Sequence, residues 1–220
     1  MSTVELAPWT KWIGTPNYTT GGVPIYTPEE LYFDGTIHII SLLWVILSSW
    51  YLLSMTSQIH IIVYVCCTIF MFSTSFAYNI IGCGAHYKPE LLRQLDHAAI
   101  FIYIAGCYTV LLKNTNNYVL VATWIICLLS AFLKLYLGRK FEIPGIIIIL
   151  GLGLFPFIAL RKNTIMCQRL FIIITCYAIG ATFYLNNNVC GAMAYWHLFV
   201  LIGTILFWRI IFLENPECKI

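Results

Sequence analysis

Glu30, Asp34 and His38 recur every four residues, as do Ser75 with Asn79 and Met193 with His197. Residues four apart share one helical stripe, so each set turns its polar atoms in a single direction. Ionisable groups inside a bilayer are costly and usually face the bundle interior, which makes such stripes functional candidates by default. The chemistry open to them ranges from helix capping and snorkelling to a buried hydrogen-bond network. Asp96 and His97 add an adjacent acid and imidazole.

The solvent of these residues follows from composition. Of 220 residues, 60% are hydrophobic and 10% charged, with mean hydropathy +0.85, whereas a soluble domain carries about 25% charged residues. Apolar runs long enough to cross hydrocarbon start near Ile37, Ile59, Leu95, Tyr118, Ile143, Arg169 and Ala192. Backbone in lipid must satisfy its own hydrogen bonds, so these runs are expected to be helices, and the alternation of a barrel strand is absent. The expected fold is all-α, a multi-pass bundle of seven transmembrane helices. Residues 1–36 would form an arm and the start of the first helix, 37–213 the membrane domain and 214–220 a short tail. The arm lacks the basic start and apolar core of a signal peptide. Thr27-Pro28-Glu29-Glu30 reads as a helix start, with Thr27 as N-cap, Pro28 at the first position and Glu30 closing a capping box.

Charge excludes one class of partner. The basic residues are scattered over loops and form no patch, so no nucleic-acid partner is expected. Six basic residues fall on each side of a seven-span topology, with Lys134 counted among the loop charges, and the positive-inside rule is silent. Most of the nine cysteines lie within the spans and read as polarizable apolar filler.

Connectivity tells which polar residues can meet. Helix starts in odd spans and helix ends in even spans fall on the N-terminal side, so Glu30, Asp34, His38, Ser75, Asn79, Asp96, His97, Met193 and His197 all lie near one membrane face. Plainer readings stand beside the functional one. Glu30 can serve only as a cap, Asp96 only as a partner of Arg93 or of nearby backbone, and His38 only as a snorkelling interface residue.

Two motifs, "LLRQLDHAAIFIYIAGCYT" and "AYWHLFVLIGT", with the Glu-x3-Asp-x3-His stripe, resemble the progestin and adipoQ receptor, or haemolysin-III-related, family. The similarity runs from about Glu30 to Phe212 and is greatest to the haemolysin-III and monocyte-to-macrophage differentiation factor type. The resemblance implies a seven-helix bundle with a cytoplasmic N-terminus and a zinc ion near the cytoplasmic end. It implies three histidine ligands, one in a Ser-x3-His pattern closing the second span and two in a His-x3-His pair opening the seventh, with a third-span carboxylate holding a zinc-bound water. Here Ser75, Asp96 and His197 match. Asn79 and Met193 stand at the other two ligand positions, and Phe207 replaces a later histidine.

A catalytic zinc needs three protein ligands and an open position, so the resemblance implies a degenerate zinc site in which His197 is the lone retained ligand. No metal cofactor is expected unless Cys83, His86, His97 or Cys190 substitute. Buried His197 still requires partners, and Asp96 is the obvious one, with Asn79 and Ser75 completing the network. Asp96 and Ser75 would be catalytic only if the family chemistry survives. The leading functional reading is a membrane receptor or scaffold without hydrolytic activity, embedded in the bilayer, with a lipid or sphingolipid ligand or a membrane or signalling protein as partner. The alternatives are a zinc-dependent, ceramidase-like lipid amide hydrolase and a transporter or channel. The last rests on "GIIIILGLGLFP", whose glycines and Pro156 more simply permit close packing and a kink.

Overall fold

The computed structural model describes residues 17–18, 24–25, 27–81, 90–113, 117–161, 163–185 and 189–214. Apart from a two-residue antiparallel pairing of β1 (Asn17–Tyr18) with β2 (Pro24–Ile25), the described elements are helices joined by short turns. Helix α1 (Pro28–Met55) begins well before the apolar run at Ile37. The Glu30 backbone N–H donates to Thr27 Oγ1 (3.2 Å), and the Thr27 N–H donates to Glu30 Oε2 (2.8 Å), which satisfies two amides that the first turn leaves unpaired.

Then follow α2 (Ile59–Phe76), continued by a π-helical turn Ala77–Ile81, and α3 (Glu90–Leu111). Helix α4 (Asn117–Leu137) is joined through a 3-10 turn, Gly138–Phe141, to α5 (Glu142–Ala159). Helices α6 (Thr164–Leu185) and α7 (Ala192–Glu214) complete the described chain.

Six apolar helical stretches among the described residues are long enough to cross a bilayer. The longest, Asn117–Ala159, spans 43 residues and reverses at the 3-10 turn, so it supplies two passes. Near the start of α4, the Trp124 indole N–H donates to Thr109 Oγ1 (3.0 Å), late in α3. Near its end, Lys134 reaches Glu142, which also accepts from Arg93, early in α3. Helix α4 therefore runs antiparallel to α3. Helix α5 runs parallel to α3, because Phe101 packs on Phe141 while the Tyr108 hydroxyl donates to the Leu152 carbonyl. The chain is an all-α, multi-pass membrane protein.

Packing divides into two apolar clusters. One joins α1, α2, α3, α6 and α7 around Val45, Ile61, Tyr64, Phe207 and Ile211, and the other joins α3, α4 and α5 around Phe101, Cys127 and Phe141. Bulky apolar residues also point outward, among them Trp50 (72% exposed) and Phe171 (63%), as expected where the surroundings are lipid. Helices α6 and α7 close on each other at Gly203, where a Cβ would stand 2.5 Å from the Tyr177 ring; small residues permit such approaches in membranes.

Two expectations need correction. Gly151 and Gly153 on α5 would meet nothing within 4 Å if given a Cβ. These two face open space, and of the glycines in that run it is Gly145 that packs closely, its Cβ position 3.5 Å from the Phe101 ring of α3. Lys134 is not a loop charge either. It sits in the last turn of α4, only 3% exposed, because its ammonium has a partner inside the protein.

Candidate functional site

The site begins where α1 meets α7. Glu30 caps α1 through one carboxylate oxygen, and its other oxygen, Oε1, accepts the Gly191 backbone N–H (2.8 Å). Gly191 has φ +71°, a left-handed conformation that glycine adopts without steric cost. The turn it makes sets the start of α7 against the first turns of α1.

One and two turns further along α1, Asp34 and His38 face α7. His38 is 3% exposed and His197 8%; the Asp34 side chain retains 15% exposure. Asp34 Oδ1 stands 2.7 Å from His197 Nδ1, His38 Nε2 stands 3.1 Å from the same Nδ1, and His38 Nε2 to Asp34 Oδ1 is 3.6 Å. The two imidazole rings are tilted at 58° with centroids 4.2 Å apart. Among the described residues, these three form a group of His, Cys, Asp or Glu side chains whose ligand atoms converge within metal-binding range.

Beside them opens a cleft lined by Glu30, Leu31, Asp34, Asn79, Gly191 and Met193 together with Ala194. It holds about 10 Å³ of free space, near the minimum for one water. The π-helical turn carries Asn79, 4% exposed, into this wall. Its amide N–H donates to the Ser75 carbonyl (3.1 Å), and Ser75 Oγ is 3.5 Å from the same nitrogen.

The expected partner of His197 was Asp96. The structure gives His197 to Asp34 and His38 instead, because α7 lays this face on α1. Asp96 is buried in the second turn of α3.

A second polar cluster, at the same end of the bundle, was not anticipated. Glu142, the first residue of α5, accepts from Arg93 of α3 (3.2 Å), Lys134 of α4 (2.8 Å) and the Tyr184 hydroxyl of α6 (2.5 Å), and His97 Nδ1 lies 3.5 Å away. Glu90 holds Arg93 from the other side (2.7 Å). A lysine near the end of an apolar run, followed eight residues later by a glutamate, was the available signal.

Of the substitute ligands considered from sequence, His97 belongs to this second cluster. Cys190 lies beside Glu30; burial, then its hydrogen bond to Glu30 and the charges of Glu30 and Glu29, push its thiol up to about 11. Cys83 and His86 lie outside the described residues.

The family model described as "Haemolysin-III related" matches residues 32–208, which contain Asp34, His38, Asn79, Met193 and His197. The chain belongs to the haemolysin-III-related family. It is similar to a hemolysin-3 homolog of Bacillus subtilis (strain 168), 29% identical over 52% of this chain and 59% of that protein. It is also similar to hemolysin-3 of Bacillus cereus, 27% identical over 61% of this chain and 67% of that protein. The match thus spans about three fifths of the Bacillus subtilis protein. In this haemolysin-III-related chain, Asn79 and Met193 bring an amide already donating to Ser75 and a thioether to the cleft. With His197 they do not fit a zinc held in the three-histidine manner the resemblance implies.

Proposed function

We propose that the chain is an integral membrane receptor or scaffold of the progestin/adipoQ receptor type, without hydrolytic activity. The observation that carries this reading is the cleft. Its walls bring Asn79 and Met193 where the resemblance implies two histidine ligands, and its free space of about 10 Å³ is that of a water, far below the several hundred Å³ of a site that encloses a small molecule. The polar contacts there fasten α1 to α7, which suits a bundle that holds one arrangement or switches between two.

The test is fatty-acid release from ceramide and other lipid amides by the full chain in proteoliposomes supplied with zinc. The expected rate equals that of protein-free vesicles. Release that Asp96→Asn abolishes would establish the hydrolase reading, in which a metal polarises the amide carbonyl and activates water.

The same reading takes the N-terminus as cytoplasmic, with the cleft opening toward the cytosol. Asn17-Tyr18-Thr19 is an acceptor sequon for N-glycosylation. Expressed in a eukaryotic cell, Asn17 should stay unmodified, while a sequon engineered into an enlarged loop after Leu160 should gain a glycan. The opposite pattern would turn the cleft to the outer face.

A further inference from the structure

We infer that Asp34, His38 and His197 form a binding site for one divalent transition-metal ion of the zinc class, seated between α1 and α7 and built on a donor set other than the three histidines of the family pattern.

The argument starts from which atoms meet. In a chain of hydrogen bonds through an imidazole, one neighbour addresses Nδ1 and the other Nε2, since each nitrogen offers either one N–H or one lone pair. Here both neighbours address the same atom. Asp34 Oδ1 and His38 Nε2 lie 2.7 and 3.1 Å from His197 Nδ1, and only 3.6 Å from each other. Seen from Nδ1 they are less than a right angle apart, so a single proton on Nδ1 cannot point at both. A proton on His38 Nε2 meets the same conflict between Nδ1 and the carboxylate. In the tautomers that place the protons on His197 Nε2 and His38 Nδ1, all three atoms offer a lone pair to one point, which is the arrangement of ligands around an ion.

The dimensions agree. The triangle with those three edges has a circumradius of about 1.9 Å, so a point about 1 Å off its plane stands about 2.1 Å from every donor, the ordinary zinc distance to histidine nitrogen and carboxylate oxygen. Two neutral imidazoles and one carboxylate are a donor set suited to zinc and to other first-row divalent metals. The adjoining cleft offers room for a water as a further ligand. Charge also helps: the Asp34 carboxylate, 15% exposed, would be offset by a dication held against it.

This inference does not depend on the receptor reading. It would hold equally in an enzyme, and a metal clamp between two helices needs no hydrolysis.

The experiment uses the full chain, free of any histidine tag, purified in detergent, loaded with zinc and dialysed. The expected result is close to one zinc per chain by elemental analysis. Cobalt loaded in its place should give a visible d–d spectrum that one equivalent of zinc removes, and stripping with chelator should lower the thermal midpoint until zinc is returned. Asp34→Asn, His38→Phe and His197→Phe should each weaken retention at least 100-fold, while Cys190→Ser should leave it unchanged. Should a variant fail to fold, the cobalt spectrum and the chelator effect on the unmodified chain decide alone. Zinc far below one per chain after loading overturns the inference, as does stoichiometric zinc that survives all three substitutions.

Discussion

Replacing Glu142 by alanine should destabilise the bundle by about 3 kcal/mol. Removing one partner of a buried ion pair costs about 3–5 kcal/mol because the other charge is left uncompensated, and here the carboxylate serves both Lys134 and Arg93. The lower figure applies because the Glu142 side chain is 28% exposed, although that of Lys134 is only 4% exposed. Arg93 keeps Glu90, so Lys134 suffers most. Thermal unfolding in detergent, with retention of helical circular dichroism as the readout, measures the loss. The double variant Glu142→Leu with Lys134→Met should recover most of it, since a buried pair can often be exchanged for apolar packing at little cost. A loss below 1 kcal/mol for Glu142→Ala would mean that water reaches Lys134 freely.

The second large effect is a change of metal site. Asn79 and Met193 line the same cleft as Asp34, and the resemblance assigns both positions to histidine. The pair Asn79→His with Met193→His should therefore create a three-histidine site with His197, and zinc retention should become independent of His38. In the otherwise unmodified chain, His38→Phe is expected to abolish retention. In the double variant it should leave about one zinc per chain, measured by elemental analysis after dialysis. If zinc is still lost, Asn79 and Met193 do not occupy the ligand positions that the motifs suggest.

The spans were legible in the sequence because lipid imposes a simple demand: each pass needs about 20 apolar residues and must be helical. The start of α1 was legible too, since the contacts of Thr27 and Glu30 are local. The site was legible only in pieces. Spacing put Glu30, Asp34 and His38 on one stripe and His197 on another, and the parity of the spans put both near one membrane face. Which acid meets His197 depends on how α7 is set against α1, which the turn at Gly191 decides, and sequence alone favoured Asp96 over Asp34. The Glu142 cluster was missed for a related reason. Lys134 and Glu142 belong to different helices joined by a tight turn, and a lysine near a helix end looks the same from sequence whether it faces water or a carboxylate.

The tight reversal at Gly138–Phe141 bears on how the protein enters its membrane. Within the 43 residues from Asn117 to Ala159, α4 carries Lys134 close to its end, where a lone ammonium resists transfer into hydrocarbon by up to about 3 kcal/mol. The neutralising carboxylate of Glu142 follows within eight residues, on the far side of the turn. A nascent chain that delivered α4 alone would present the uncompensated Lys134 ammonium to lipid, whereas α4 and α5 delivered together present it already paired with Glu142. The pair is thus a natural unit of biosynthetic insertion, in which α4 settles once the turn and Glu142 have followed it.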